Sequence, residues 1–192
     1  MPIALPVTPE ANELLSRNAL ALLIGMLLDQ QIPLERAFSA PADLAARLGH
    51  EPTARELADC DPEALIAIFS ERPALHRFPK AMAARTQLLA EMIADQYGGD
   101  AAAVWTTAAT GEELLRRVTA LPGFGGVKAQ IFVALLGKQL AVRPPGWREA
   151  AGQFGTEGTY ISVADIVDDE SLGRVRAYKQ SLKAAAKAAT GS

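Results

Sequence analysis

The stretch TGEELLRRVTALPGFGGVKAQIFVALLGKQL, residues 110–140, decides how this chain is read. Two segments with apolar residues at helical spacing flank a turn, Leu-Pro-Gly-Phe-Gly-Gly, and together they predict a helical hairpin over residues 112–137. Gly123 and Gly125 are expected to take backbone angles closed to other residues. Such a turn aims the amides of Gly123, Gly125 and Gly126, with the N-terminus of the second helix, at one point, which makes an anion site. Gly123, Phe124, Gly125, Gly126 and Lys128 are therefore the candidate phosphate contacts, with Lys128 adding a charge-assisted bond. A purely structural reading, a tight corner whose glycines let two helices pack closely, fits the same residues.

Outward from the hairpin the chain is helical almost throughout. Residues 8–31, TPEANELLSRNALALLIGMLLDQQ, predict one helix capped by Thr8, with Pro9 in its first turn and a second half apolar on every side. APADLAARLG, DPEALIAIFS and TGEELLRRVTAL predict short capped helices. FPKAMAARTQLLAEMIADQYGGD places Met82, Leu88, Leu89, Met92, Ile93 and Tyr97 on one stripe and stops at Gly98 and Gly99. No β-branched alternating run is present, so the fold class is all-α. Residues 143–160, RPPGWREAAGQFGTEGTY, are irregular, and a basic helix follows.

Composition bounds the function. The chain has 192 residues, a formal charge of −3 and a pI near 5.5, so nucleic-acid binding has to rest on a local patch rather than on the global field. One cysteine, Cys60, excludes a disulfide framework and an iron–sulfur cluster held by four cysteines of this chain. The N-terminal segment lacks a basic start and a cleavage pattern, and the apolar run ending before Asp29 falls short of the ~20 residues of a membrane span. The expectation is a soluble cytoplasmic protein with no membrane partner, associated with the nucleoid if it binds DNA.

LPGFGGVKA resembles the L-P-G-hydrophobic-G-x-x-x-A hairpin of the helix-hairpin-helix, or HhH-GPD, superfamily of base-excision DNA glycosylases that includes endonuclease III. LLIGMLLDQQ is similar to that family's early helix, which ends in a glutamine-containing segment beside the lesion. KAMAARTQLLAEMIADQYGGD is similar to its K-A-x-x-L-x-x-x-A helix with a Gly-Gly stop. The resemblance covers about residues 17–143; the C-terminal extension, residues 144–192, matches nothing recognisable within one HhH-GPD-like domain of residues 1–192.

The resemblance implies a two-lobed helical fold, a hairpin that binds double-stranded DNA, and a cleft that receives a flipped damaged base. It implies no metal and leaves room for a monovalent cation at the hairpin. Two departures follow from the same comparison. Bifunctional relatives carry a Schiff-base lysine at the position of Val127, whereas here the lysine is Lys128, and on a helix one residue turns a side chain by ~100°. No lyase activity is expected. The catalytic aspartate that follows an Ala-Val stretch in relatives is replaced by Arg143, which can serve neither as a base nor as a partner for a developing cation.

The carboxylate needed by an enzyme then comes from elsewhere. Asp29, next to Gln30 and Gln31, is the first candidate; Asp165, Asp168 and Asp169 are the others, and helix capping is their competing role. Gln30 and Gln31 are candidates for contacts to a base edge or for capping the preceding helix. Arg143 and Trp147, with Arg148, are candidates for stacking on an unpaired base, or else Trp147 is core. His76 and Arg77 suit a phosphate or an ordinary loop. The tail, with Arg174, Arg176, Lys179, Lys183 and Lys187, suits a phosphate backbone or a solvated end. Three functions fit: a monofunctional glycosylase, a catalytically silent damaged-DNA-binding module, and a protein-interaction domain on the same scaffold.

Overall fold

A computed structural model describes residues 2–190. Eleven α-helices are present among them: α1 (Pro9–Arg17), α2 (Ala19–Leu28), α3 (Leu34–Leu48), α4 (Ala54–Asp59), α5 (Pro62–Ser70), α6 (Pro79–Gln96), α7 (Ala103–Thr106), α8 (Gly111–Ala120), α9 (Gly126–Gln139), α10 (Trp147–Ala150) and α11 (Asp169–Thr190). Two 3-10 turns, Gly152–Gly155 and Val163–Asp165, lie between α10 and α11, and no strand occurs among the described residues. The all-α expectation holds.

The single N-terminal helix does not. It breaks at Asn18, whose N–H donates to the Leu14 carbonyl at 2.8 Å to close α1, while its side-chain oxygen accepts the Ala21 amide at 3.0 Å to open α2. The side-chain nitrogen of Asn18 reaches Glu51 at 2.9 Å. Asparagine competes well for this double-capping role, and the two helices meet at 114°. The expected start of α3 at Pro41 also moves, because the helix already begins at Leu34 and Pro41 lies buried inside it.

Helix contacts divide the chain into two lobes. In the first, α1 and α2 pack on α3, while α6 lies against α2, α4 and α5; in the second, α8, α10 and both 3-10 turns surround α9. One apolar cluster runs through both, with α2 and α9 as its most buried helices. Lys128 at the start of α9 meets the end of α2, and Leu140 and Val142 past the end of α9 share a cavity with Leu15, Ala19 and Leu22. The two central helices therefore run in opposite directions. No single helix among the described residues is long and apolar enough to cross a membrane.

The irregular stretch after α9 folds back by close approach. A Cβ on Gly111 would lie 2.4 Å from the Gly146 carbonyl oxygen, and one on Gly137 would lie 2.3 Å from the Trp147 ring. Trp147 is buried with its indole against the backbone of α9. Of the two roles open to it, this is the core one, and the ring is not offered to an unpaired base. Replacing Gly137 with Ala drives a methyl into that ring, so the substitution is expected to cost about 1–3 kcal/mol as overpacking, measured by denaturant or thermal unfolding.

Candidate functional site

The hairpin is anchored by its apolar residues. Leu121 donates its amide to Val118 at 3.1 Å and accepts that of Phe124 at 3.0 Å. Both side chains are buried, and the Phe124 ring meets Phe132 edge-on at 5.6 Å. Phe124 thus reaches any phosphate only through its backbone. Gly123 has φ +83°, and a Cβ there would come within 2.3 Å of Leu27 Cδ1, so both conformation and space require glycine.

Gly125 differs from expectation. Its φ of −66° and ψ of 167° are open to any residue, and a Cβ on Gly125 or Gly126 would meet nothing within 4 Å. The fold itself makes no demand for glycine at either position. The first helical bond of α9 runs from the Ala129 amide to the Gly125 carbonyl at 2.9 Å. The amides of Gly125, Gly126, Val127 and Lys128 precede it and find no acceptor among the described residues. Gly125 and Gly126 are exposed, so this patch of N–H groups at the positive end of a 14-residue helix faces outward.

Lys128 does not join that patch. Its Nζ donates to the carbonyls of Met26 at 2.8 Å, Leu27 at 3.2 Å and Asp29 at 3.2 Å, which closes the C-terminus of α2 from the other lobe. The assignment of Lys128 as a phosphate contact is corrected accordingly. Val127, one residue earlier, is 63% exposed.

The end of α2 gathers the remaining groups. Asp29 is its C-cap, and its carboxylate has no hydrogen bond or ion pair among the described residues. Burial pushes the Asp29 carboxyl above the ordinary aspartate range; Lys179 and Lys128 act against this, and Glu35 adds to it. Gln30 is committed to capping: its Nε2 donates to the Leu27 carbonyl at 2.7 Å, and its Oε1 accepts from Arg85 at 3.1 Å. Gln31 is exposed at φ +58°, a conformation that costs energy in a non-glycine residue and recurs at functional sites. It is the glutamine of the pair that the turn presents.

His76 supports this turn from beneath. The Phe78 amide donates to His76 Nδ1 at 3.0 Å, which leaves the proton on Nε2 to bond the Gln30 carbonyl at 2.9 Å. Burial holds the imidazole below its usual pKa, consistent with that neutral form. Arg77 lies over the Phe78 ring at 5.3 Å.

The other candidates lie elsewhere. Arg143 Nε donates to the Gly137 carbonyl at 2.8 Å, at the opposite end of α9 from Lys128, about 13 Å away along the helix axis. Arg143 and Trp147 are therefore not brought together with Gln30 and Gln31. They line a separate surface cavity of about 270 Å³ with Lys138, Arg148 and Tyr160. Asp165 is buried, paired with Lys138 at 2.5 Å and accepting the amides of Ile161 and Ser162. Asp168 caps α11 by accepting the Ser171 amide at 2.7 Å, and that bond lowers its pKa. Asp169 is an exposed residue of the first turn of α11. Of the four carboxylates, Asp29 is the one placed beside the hairpin. Lys179, which the sequence placed in the basic tail, acts on Asp29, and Arg85, which carried no signal beyond being a helix-borne cation, holds the neighbouring Gln30.

A family model described as HhH-GPD superfamily base excision DNA repair protein matches residues 24–190, and the chain belongs to that superfamily. The match continues past residue 143 through α11, where the sequence reading found no resemblance. Neither the curated proteins nor the solved structures gave a match.

The raised pKa of Asp29 fixes the sign of a stability test. Below the pKa of an unfolded aspartate both states hold the proton, and the side chain costs nothing extra. Between that value and the higher folded-state value the unfolded chain ionises first and the folded state loses ground, and above the folded-state value the folded protein bears a half-buried charge. Asp29→Asn should therefore raise Tm at pH 7, and the gain should vanish in acid. Thermal unfolding of both proteins across pH measures it.

Proposed function

We propose that this member of a base-excision repair superfamily is a monofunctional DNA glycosylase whose carboxylate is Asp29. One observation carries the reading: a half-buried carboxylate without a hydrogen-bond partner lies beside an outward patch of free amides at Gly125–Lys128, where the fold has no need of the exposed glycines. Bare backbone of that kind suits close approach by a phosphate. The hairpin would hold the duplex without reading sequence, and Gln31 would face the strand beside the gap left by an extruded base. Breaking the N-glycosidic bond builds positive charge on the sugar. Asp29 would stabilise that charge, and its poor compensation in the free protein leaves it available to do so. Lys128 is occupied by three carbonyls, so no Schiff base forms through it.

The presence of Arg143 where relatives have their aspartate favours a second reading, a silent module that recognises damaged DNA. Two experiments separate the possibilities. Gly125→Val suits the backbone of that residue and places a branched side chain on the amide patch, so it should abolish duplex binding in a mobility-shift assay while helicity survives. Unchanged binding would remove the hairpin as the DNA site. Duplexes carrying uracil, hypoxanthine, alkylated or oxidised bases, followed by alkaline cleavage of abasic sites, test the chemistry. Excision of at least one base is expected, and Asp29→Asn should slow it by about a hundredfold or more. No excision from any duplex, with binding retained, leaves the silent module.

A further inference from the structure

The last helix does not end where its packing ends. Leu172 and Val175 are buried, Arg174 lies over the Tyr160 ring at 4.6 Å and pairs with Glu170, and Arg176 pairs with Glu35 of the first lobe. The first half of α11 is thus fixed to both lobes. Lys179 then comes close enough to Asp29 for its charge to act on that carboxylate. From residue 181 to 188 every side chain is exposed, including Leu182.

The charge of this projecting half is one-sided. All 22 acidic residues of the chain lie at or before Glu170, where they face 14 Lys and Arg; the remaining five of the 19 cations fall in α11, with no acid after Glu170. Lys179, Lys183 and Lys187 are spaced by four, which places them on one stripe spanning about 12 Å. The stripe starts at Asp29 and leads away from the protein body. Meanwhile the turn of the hairpin, from Leu121 to Lys128, offers no outward side-chain cation, because Lys128 is turned inward to α2. An acidic body with a neutral amide patch needs another source of positive charge to approach a polyanion.

We propose that the second half of α11, from Lys179 to Lys187, is a phosphate-backbone anchor that holds duplex DNA across the Asp29 turn together with the hairpin. The proposal rests on the DNA-binding reading above and adds a second, electrostatic contact surface to it. The first half of α11 sets the position of the stripe, and the exposed lysines follow one strand beside Asp29.

The test is the salt dependence of binding to a short undamaged duplex, read by fluorescence anisotropy for the parent, Lys183→Gln/Lys187→Gln and Lys183→Glu/Lys187→Glu. Both side chains are exposed, so helicity and Tm should match the parent. Loss of two phosphate contacts should reduce the slope of log K against log salt by about 1.8 and weaken binding by roughly tenfold or more at moderate salt, with a larger loss for the glutamates. If both double variants bind with the parent's affinity and slope while Gly125→Val does not bind, the α11 anchor is wrong and the hairpin reading stands. If the parent itself does not bind the duplex at low salt, both are wrong.

Discussion

The bond on which the arrangement depends is the one between the Lys128 ammonium and the last carbonyls of α2. A helix leaves its final carbonyls without intrahelical partners, and α2 is too deeply buried for water to satisfy all of them. Lys128 supplies three donors from the other lobe, and its positive charge suits the negative end of the helix. The contact fixes α9 against α2, brings Gly123 onto Leu27, and leaves Asp29 next to the hairpin. The one-residue displacement of the lysine gains a physical meaning here. At 127 the side chain would point outward, as the exposed Val127 does; at 128 it turns into the joint between lobes. The lysine of this turn therefore holds the structure together.

Asp29 is the counterpart of that arrangement. Two lysines lie near enough to favour its charge, yet burial outweighs them. A half-buried carboxylate without a hydrogen bond costs stability, and groups with perturbed pKa values of this kind cluster at functional sites. Around it the turn is held rigidly: His76 bonds the Gln30 carbonyl, and Arg85 bonds the Gln30 side chain. Rigid support beneath an unsatisfied group is what electrostatic preorganisation requires.

Features with local causes were legible in the sequence. The hairpin, its flanking helices and the Thr8 cap follow from turn chemistry and spacing within a few residues of each other. The break at Asn18 was also a local event, hidden because an apolar run on one side and a leucine stripe on the other both read as helix. What stayed illegible depends on partners far along the chain. The contact of Lys128 with Met26 spans 102 positions, and the Arg85–Gln30 bond spans 55. Trp147 and Arg143 lay near the expected catalytic position in sequence, yet Gly111 and Gly137 admit the indole to the far end of α9. Glycines there marked close packing rather than a ligand, a distinction that only the neighbouring atoms make.

The two ends of α9 show how the same backbone serves opposite purposes. At its C-terminus every resource is spent inside the protein: Arg143 bonds Gly137, the amides of Leu140 and Val142 bond Leu136, and the side chains of Lys138 and Gln139 bond the segment that leads to α11. At its N-terminus Lys128 is spent on α2, but the backbone amides of Gly125 to Lys128 are not. Helices α1, α2, α4, α5 and α8 each begin on a side chain that accepts an amide, namely Thr8, Asn18, Thr53, Asp61 and Thr110, while α9, like α3, α6, α7 and α10, begins without one. A serine or aspartate at 125 would fit the backbone and stabilise the helix by roughly a few tenths of a kcal/mol over glycine. Its absence keeps the amides of the most buried helix in the second lobe open at the surface, and a helix whose only task was to stiffen the core would gain from closing them. Open amides at the positive end of a 14-residue helix are able to accept an anion from outside, and Lys128 holds that end beside Asp29.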